Sequence, residues 1–224
     1  MFFQKKKSAD LMKKILIFSA GPAGREVYQL IQEINKQKLI WKVIGYVDSE
    51  LKSKKILDGL KVFSLKNKPI GRDIFAITGI MNPALREKIF QKEIIKNNYK
   101  IPNLIHPNIN LPPCFKIGKG NIIFNNVHIS FEVKLSNFSI ISNFCDIGHN
   151  LNSKSYLTVM PSVTIGGNCI IGKKVLIGSG VNILQKLRID ENCQIGIGST
   201  ITSDMPKNTS LAEFKRNVIK KNVK

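Results

Sequence analysis

Aliphatic residues recur every six positions across the second half of this chain: Ile117, Ile123, Ile129, Leu135, Ile141, Ile147, Val159, Ile165, Ile171, Ile177, Ile183, Ile189, Ile195 and Ile201. Ser153 is the one polar member of the series. Two positions earlier runs a second, smaller apolar series that includes Val127, Val133, Cys145, Val163, Cys169, Val175, Val181 and Cys193. A period of six matches neither a helix nor an alternating strand, whereas a short fixed repeat is the mark of a solenoid. Three hexads close one coil of a three-sided prism, with a short strand on each face and a turn at each corner. The rung residue points inward, and each coil buries its apolar set only when the next coil covers it. Glycine often follows a rung, as at Gly148, Gly166, Gly172 and Gly178, and is expected to supply corner backbone angles that a side chain would obstruct. A β-sandwich would need fourteen of the fifteen positions to fall in phase by coincidence.

The first half reads differently. An apolar run at residues 14–18, KILIF, ends in Ser19, Ala20, Gly21, Pro22, Ala23 and Gly24, and residues 25–31 then follow helical periodicity. Strand, glycine turn and helix open a nucleotide-binding α/β unit of Rossmann-like type. A second strand at residues 43–47 ends at Asp48, where an acidic residue commonly meets a ribose. Ser19 stands where the first glycine of GxGxxG belongs, so the turn reads equally as a plain structural connection. A third strand is expected over residues 73–79 and a helix over 84–96. The proline-rich join at Leu111, Pro112 and Pro113 places the boundary near residue 103. The expected division is an extension at 1–12, an α/β domain at 13–103, and an all-β coil at 104–224 with a basic tail. Ser203, Asp204, Met205 and Pro206 are the candidate cover for the last coil.

No stretch of eighteen apolar residues is present, so no membrane insertion is expected. The opening MFFQKKKSADL lacks the apolar core of a secretory signal, which leads to a cytoplasmic expectation. Cys145, Cys169 and Cys193 share the small inward position on different faces and have no CxxC partner, so they read as buried free thiols. The formal net charge of +20 suits anionic substrates, but genome composition produces the same excess. No aromatic-basic interleaving marks a nucleic-acid partner.

Three histidines are available for chemistry. His106 lies in the join, His128 precedes a rung and should face outward, and His149 stands at a corner beside the broken rung Ser153. None repeats at the coil spacing, which argues against a metal site. Local rules break most often where function requires it, so His149 is a catalytic candidate, with a solvent-facing corner histidine as the alternative.

The segments KKILIFSAGPAGREV, IGYVD, AITGIMNPALREKI, NLIHP and the Ile-Gly-His stretch, followed by the hexads, resemble bacterial sugar acetyltransferases related to the sialic-acid O-acetyltransferase NeuD. That resemblance implies an α/β nucleotide-sugar domain joined to a left-handed parallel β-helix, forming a homotrimer. It implies acetyl-CoA as co-substrate, no metal, and His149 as general base toward a sugar amine or hydroxyl. Relatives commonly carry Asp or Glu after the histidine, whereas this chain has Asn150, expected to hold the ring without charge and leave it less basic. By the same matching, acetyl-CoA meets Thr158, Ser179 and Ile197 in a groove between subunits, with backbone N–H groups of the coil holding the thioester oxygen. The nucleotide sugar meets Gly21, Pro22, Ala23, Asp48, Ser49 and Thr78. Pro22 is a departure, since it lacks an N–H for a phosphate. The implied function is N-acetylation of a nucleotide-linked amino sugar in bacterial surface glycan biosynthesis. The alternatives are O-acetylation of a free sugar or a non-catalytic scaffold.

Overall fold

The computed structural model describes residues 12–48 and 56–211. The N-terminal extension, Ser49 and the basic tail after residue 211 lie outside the described residues.

Strand β1 (Lys13–Phe18) pairs in parallel with β2 (Trp41–Val47) and β5 (Phe75–Thr78), and β2 pairs with β4 (Leu60–Phe63). A short β3 (Ile56–Leu57) adds antiparallel to β4 at the edge. This hairpin has no apolar alternation to announce it. Helix α1 (Pro22–Gln37) runs well past the expected residues 25–31 and turns Val27, Leu30 and Ile31 into the layer. Pro22 stands in its first turn, where a missing N–H costs no helical hydrogen bond. Helix α2 (Pro83–Ile89) is capped by the Asn82 side chain on the Leu85 N–H, and it passes into a π-helical segment, Phe90–Ile95. The single helix expected over 84–96 therefore changes its hydrogen bonding at Phe90, whose ring packs on Phe138 with centroids 4.3 Å apart.

From Leu104 onward the chain is a parallel β-solenoid. Two-residue strands stack in three sheets, with partners eighteen residues apart, as in Lys116 with Lys134 and Asp146 with Thr164. Face A carries Leu135, Ser153 and Ile171, face B carries Ile123, Ile141 and Val159, and face C carries Ile129, Ile147 and Ile165. Rungs from Ile123 to Ile201 are buried, and Ile117 at the open end is partly covered. Cys145, Cys169 and Cys193 are free buried thiols on this core. Met205 closes the far end, exchanging backbone hydrogen bonds with Arg188 and Asp190, while Asp204 accepts the Arg188 N–H.

The role expected of the rung glycines is corrected. Most left-handed corners are occupied by ordinary residues, among them Glu132 (φ 56°), Asn150 (φ 57°), Tyr156 (φ 65°) and Asn168 (φ 61°), and the left-handed glycines of the coil, Gly120, Gly180 and Gly198, are not those that follow a rung. Gly148 is required for close approach instead, because a Cβ there would lie 2.6 Å from the Ile165 carbonyl oxygen of the next coil.

Ser153 keeps its place in the core but finds no partner for its buried hydroxyl. An unsatisfied hydroxyl costs about 1–3 kcal/mol. Ser153→Ala is therefore expected to raise the unfolding free energy by about 1 kcal/mol in urea titration. A loss of stability would mean that the hydroxyl is satisfied in solution.

Candidate functional site

His149 stands on the corner between faces C and A, half-buried and stacked in a column with the equivalent corners of its neighbours. Phe131, one coil earlier, lies parallel to its ring at 5.1 Å and 7°. Gly167, one coil later, leaves the ring its space, since a Cβ there would sit 2.4 Å from Nε2. The imidazole is thus held on both sides.

The next corner position holds Glu132, Asn150 and Asn168 in successive coils. Asn150 Oδ1 lies 2.8 Å from His149 Nδ1, and Asn150 Nδ2 donates to Glu132 Oε2 at 2.5 Å. A carboxylate only accepts, so the amide N–H must face Glu132 and the amide oxygen must face the ring. Nδ1 then carries the proton and Nε2 holds a lone pair, the tautomer of a general base. Beside this edge lies a groove of about 490 Å³ whose walls include Cys114, Lys116, Glu132, Lys134 and Asn150.

The other histidines are occupied elsewhere. His128 faces solvent and meets Asp146 at 2.8 Å. His106 is buried beneath α1, accepts the Asn108 N–H, and has its pKa lowered by that burial against an opposing pull from Glu33. Among the described residues no group of three or more His, Cys, Asp or Glu side chains converges for a metal.

The residues expected to meet acetyl-CoA divide. Ser179 and Ile197 stack one coil apart on the corner between faces B and C, joined by the Gly198 N–H on the Ser179 carbonyl. Ile197 is 59% exposed. Thr158 lies apart on face B, fully buried, with its hydroxyl donating to the Met81 carbonyl at 2.8 Å. Its hydroxyl is therefore already used within the chain. The edge bearing Ser179 and Ile197 is also not the edge bearing His149. A six-residue face separates them, on the order of 18 Å if extended.

The residues expected at the nucleotide gather at the carboxyl ends of β1, β2 and β5. Ser19 takes φ 108° and accepts the Gly21 N–H through its hydroxyl, and Asp48 Oδ2 accepts the Ala20 N–H at 2.8 Å. Gly21 precedes α1, with Pro22 and Ala23 in its first turn. Thr78 is buried at the end of β5 with its hydroxyl unpartnered. A groove of about 160 Å³ opens between Ser19, Val47, Asp48, Leu65 and Ile80.

Sequence reasoning missed Phe131, Glu132 and Gly167. The signal was available: stepping eighteen residues from His149 and Asn150 reaches all three.

The α/β layer rests on face B, opposite the His149 edge. Arg86 joins the two, its five N–H groups donating to the carbonyls of Ile80, Met81, Phe138, Tyr156 and Leu157. Glu87 adds contacts to Lys173 and Lys174.

No family model matches the chain. It is 27% identical over 173 residues to a GDP-perosamine N-acetyltransferase of Escherichia coli, covering 75% of this chain and 77% of the relative. Among solved structures, the acetyltransferase domain of PglB from Neisseria gonorrhoeae superposes with a TM-score of 0.81 at 21% identity, over 90% of this chain and 97% of that one. The same domain has been solved in complex with acetyl coenzyme A. A histidine-to-asparagine variant of perosamine N-acetyltransferase from Caulobacter crescentus, in complex with CoA and GDP-perosamine, gives a TM-score of 0.78 at 16% identity, over 89% and 93% of the chains.

Proposed function

We propose that this chain, a homologue of the hexapeptide-repeat sugar N-acetyltransferases, moves the acetyl group of acetyl-CoA to the amino group of a nucleotide-linked amino sugar in glycan biosynthesis. On this reading residues 13–103 form a Rossmann-like nucleotide-sugar domain and residues 104–224 a left-handed coil with its tail. The observation that carries the proposal is the His149 ring, clamped between Phe131 and Gly167 with Nδ1 committed to Asn150.

The residues act as follows. His149 Nε2 accepts a proton from the sugar amine as its nitrogen bonds to the acetyl carbonyl carbon. Asn150 Oδ1 holds Nδ1–H and fixes the ring through that transfer. The C–S bond then breaks, and the imidazolium returns its proton to the thiolate, leaving an amide, free CoA thiol and neutral His149. Proton transfer from a positioned base contributes roughly 10²–10⁴ in rate.

Where the parts lie supports a homotrimer. One chain holds His149 on the C/A edge, Ser179 and Ile197 on the B/C edge, and its nucleotide groove over face B. On this reading a complete site takes edges from adjacent subunits, with Ser179 and the exposed Ile197 meeting acetyl-CoA across the boundary from His149. Gly21, Ala23, Asp48 and Thr78 face the nucleotide sugar, and Ser49 adjoins them in sequence. Pro22 withdraws one amide donor, leaving the remaining amides of the α1 N-terminus for phosphate. Light scattering should report a trimer.

Thermal-shift titration with GDP-, UDP- and dTDP-linked amino sugars tests the substrate class. A matching nucleotide sugar at a hundredfold excess over Kd adds about 2.7 kcal/mol of stability. No shift with any of them, together with O-acetylation of a free sugar, would contradict the reading.

A further inference from the structure

We infer that Glu132 is a positioning residue for the acetyl transfer, supplying through the Asn150 amide the negative charge that Asn150 itself lacks. The inference rests on the reading of His149 as the base. Its ground is a three-member chain of hydrogen bonds: Glu132 Oε2 accepts from Asn150 Nδ2, and Asn150 Oδ1 receives His149 Nδ1–H.

An amide beside a catalytic imidazole is ambiguous when it stands alone. Either end can face the ring, and the flipped amide would present N–H to Nδ1, forcing the proton onto Nε2 and removing the base. Glu132 resolves this, because turning the amide would set its oxygen against a carboxylate. One carboxylate a coil away therefore selects the amide orientation, and through it the ring tautomer. When Nε2 takes the proton, the positive charge on the ring pulls on the amide oxygen, and the carboxylate stabilises the polarised amide from its far end. The Glu132 backbone is tied to the preceding coil, its N–H donating to Cys114 Sγ at 3.1 Å, while its side chain lies on the exposed edge.

The three residues belong to adjacent coils, with Glu132 eighteen positions before Asn150. The carboxylate thus reaches Asn150 along the prism edge and not along the sequence. No change of fold is required.

The test combines kinetics with a compensating pair. Glu132→Gln keeps the side-chain shape and removes the charge. It is expected to lower kcat about tenfold with KM for acetyl-CoA unchanged within about twofold, the difference between a charge-assisted and a neutral hydrogen bond. Because the effect is electrostatic, the wild-type to variant ratio should shrink toward one in 1 M NaCl, where the Debye length is about 3 Å. Combining Glu132→Gln with Asn150→Asp moves the carboxylate beside the ring and should restore kcat to within about threefold of wild type. A merely structural role predicts a salt-independent ratio and no rescue. Wild-type kcat in Glu132→Gln, alongside a loss above tenfold in His149→Ala, overturns the Glu132 assignment alone. Full turnover in His149→Ala overturns the base assignment beneath it.

Discussion

His149→Ala lowers kcat by about 100-fold or more while KM for acetyl-CoA and the unfolding midpoint stay near their wild-type values. The size follows from the role: removing a positioned base forfeits roughly 10²–10⁴ in rate. The selectivity follows from the location. His149 is half-buried at a corner, outside the sealed column of rungs that holds the coil together, so its loss opens no core cavity. Gly167→Ala offers an independent check, since its Cβ would displace the ring from 2.4 Å without touching the chemistry of imidazole. Steady-state thiol release on the two variants measures both effects. Retention of more than about a tenth of turnover by His149→Ala excludes a base of the proposed strength.

Arg86→Met is expected to destabilise the protein by about 3–5 kcal/mol, because each buried carbonyl left without a donor costs about 1–3 kcal/mol and the site relaxes in part. Arg86 is 1% exposed and, among the described residues, has no carboxylate opposite it; five carbonyl oxygens share its charge. Burial pulls its pKa down to about 9, with a smaller opposing pull from Tyr156, so the guanidinium remains protonated at neutral pH. Methionine fills much of the same volume yet leaves the carbonyls of Ile80, Phe138 and Tyr156 without a donor, while Met81 keeps the Thr158 hydroxyl and Leu157 keeps the Ile140 N–H. Lysine offers only three donors and cannot restore the fork. For a chain of this size the loss corresponds to a fall in melting temperature of roughly 6–20 °C. Thermal unfolding of Arg86→Met and Arg86→Lys checks this, and a cost below about 1 kcal/mol would mean that the α/β layer is held to the coil by other contacts.

The solenoid was legible because its signal is a period. Six-residue spacing of Ile and Val survives local noise, and even Ser153 kept its inward position without a bonding partner. The glycines were legible as corner residues but not for their cause, since close approach between coils leaves no mark within a single hexad. Thr158 shows a second limit. Its outward-facing position on face B is visible from spacing, but whether that face is open or covered depends on the packing of Met81, which is seventy-seven residues away in sequence. Glu132 shows a third, because its meaning appears only when the chain is read down a prism edge instead of along the backbone. The edge hairpin of β3 and β4 had no periodicity to reveal it, and the change to π-helical bonding at Phe90 likewise left no pattern in the residues.

The most direct measurement is the release of CoA thiol when the protein meets acetyl-CoA and a panel of GDP-, UDP- and dTDP-linked amino sugars, read together with loss of the free amine. At least one amino sugar should give thiol and N-acetyl product in equal amounts, at a rate that falls about 100-fold or more in His149→Ala. Thiol release no faster than that of His149→Ala across the whole panel would contradict the account.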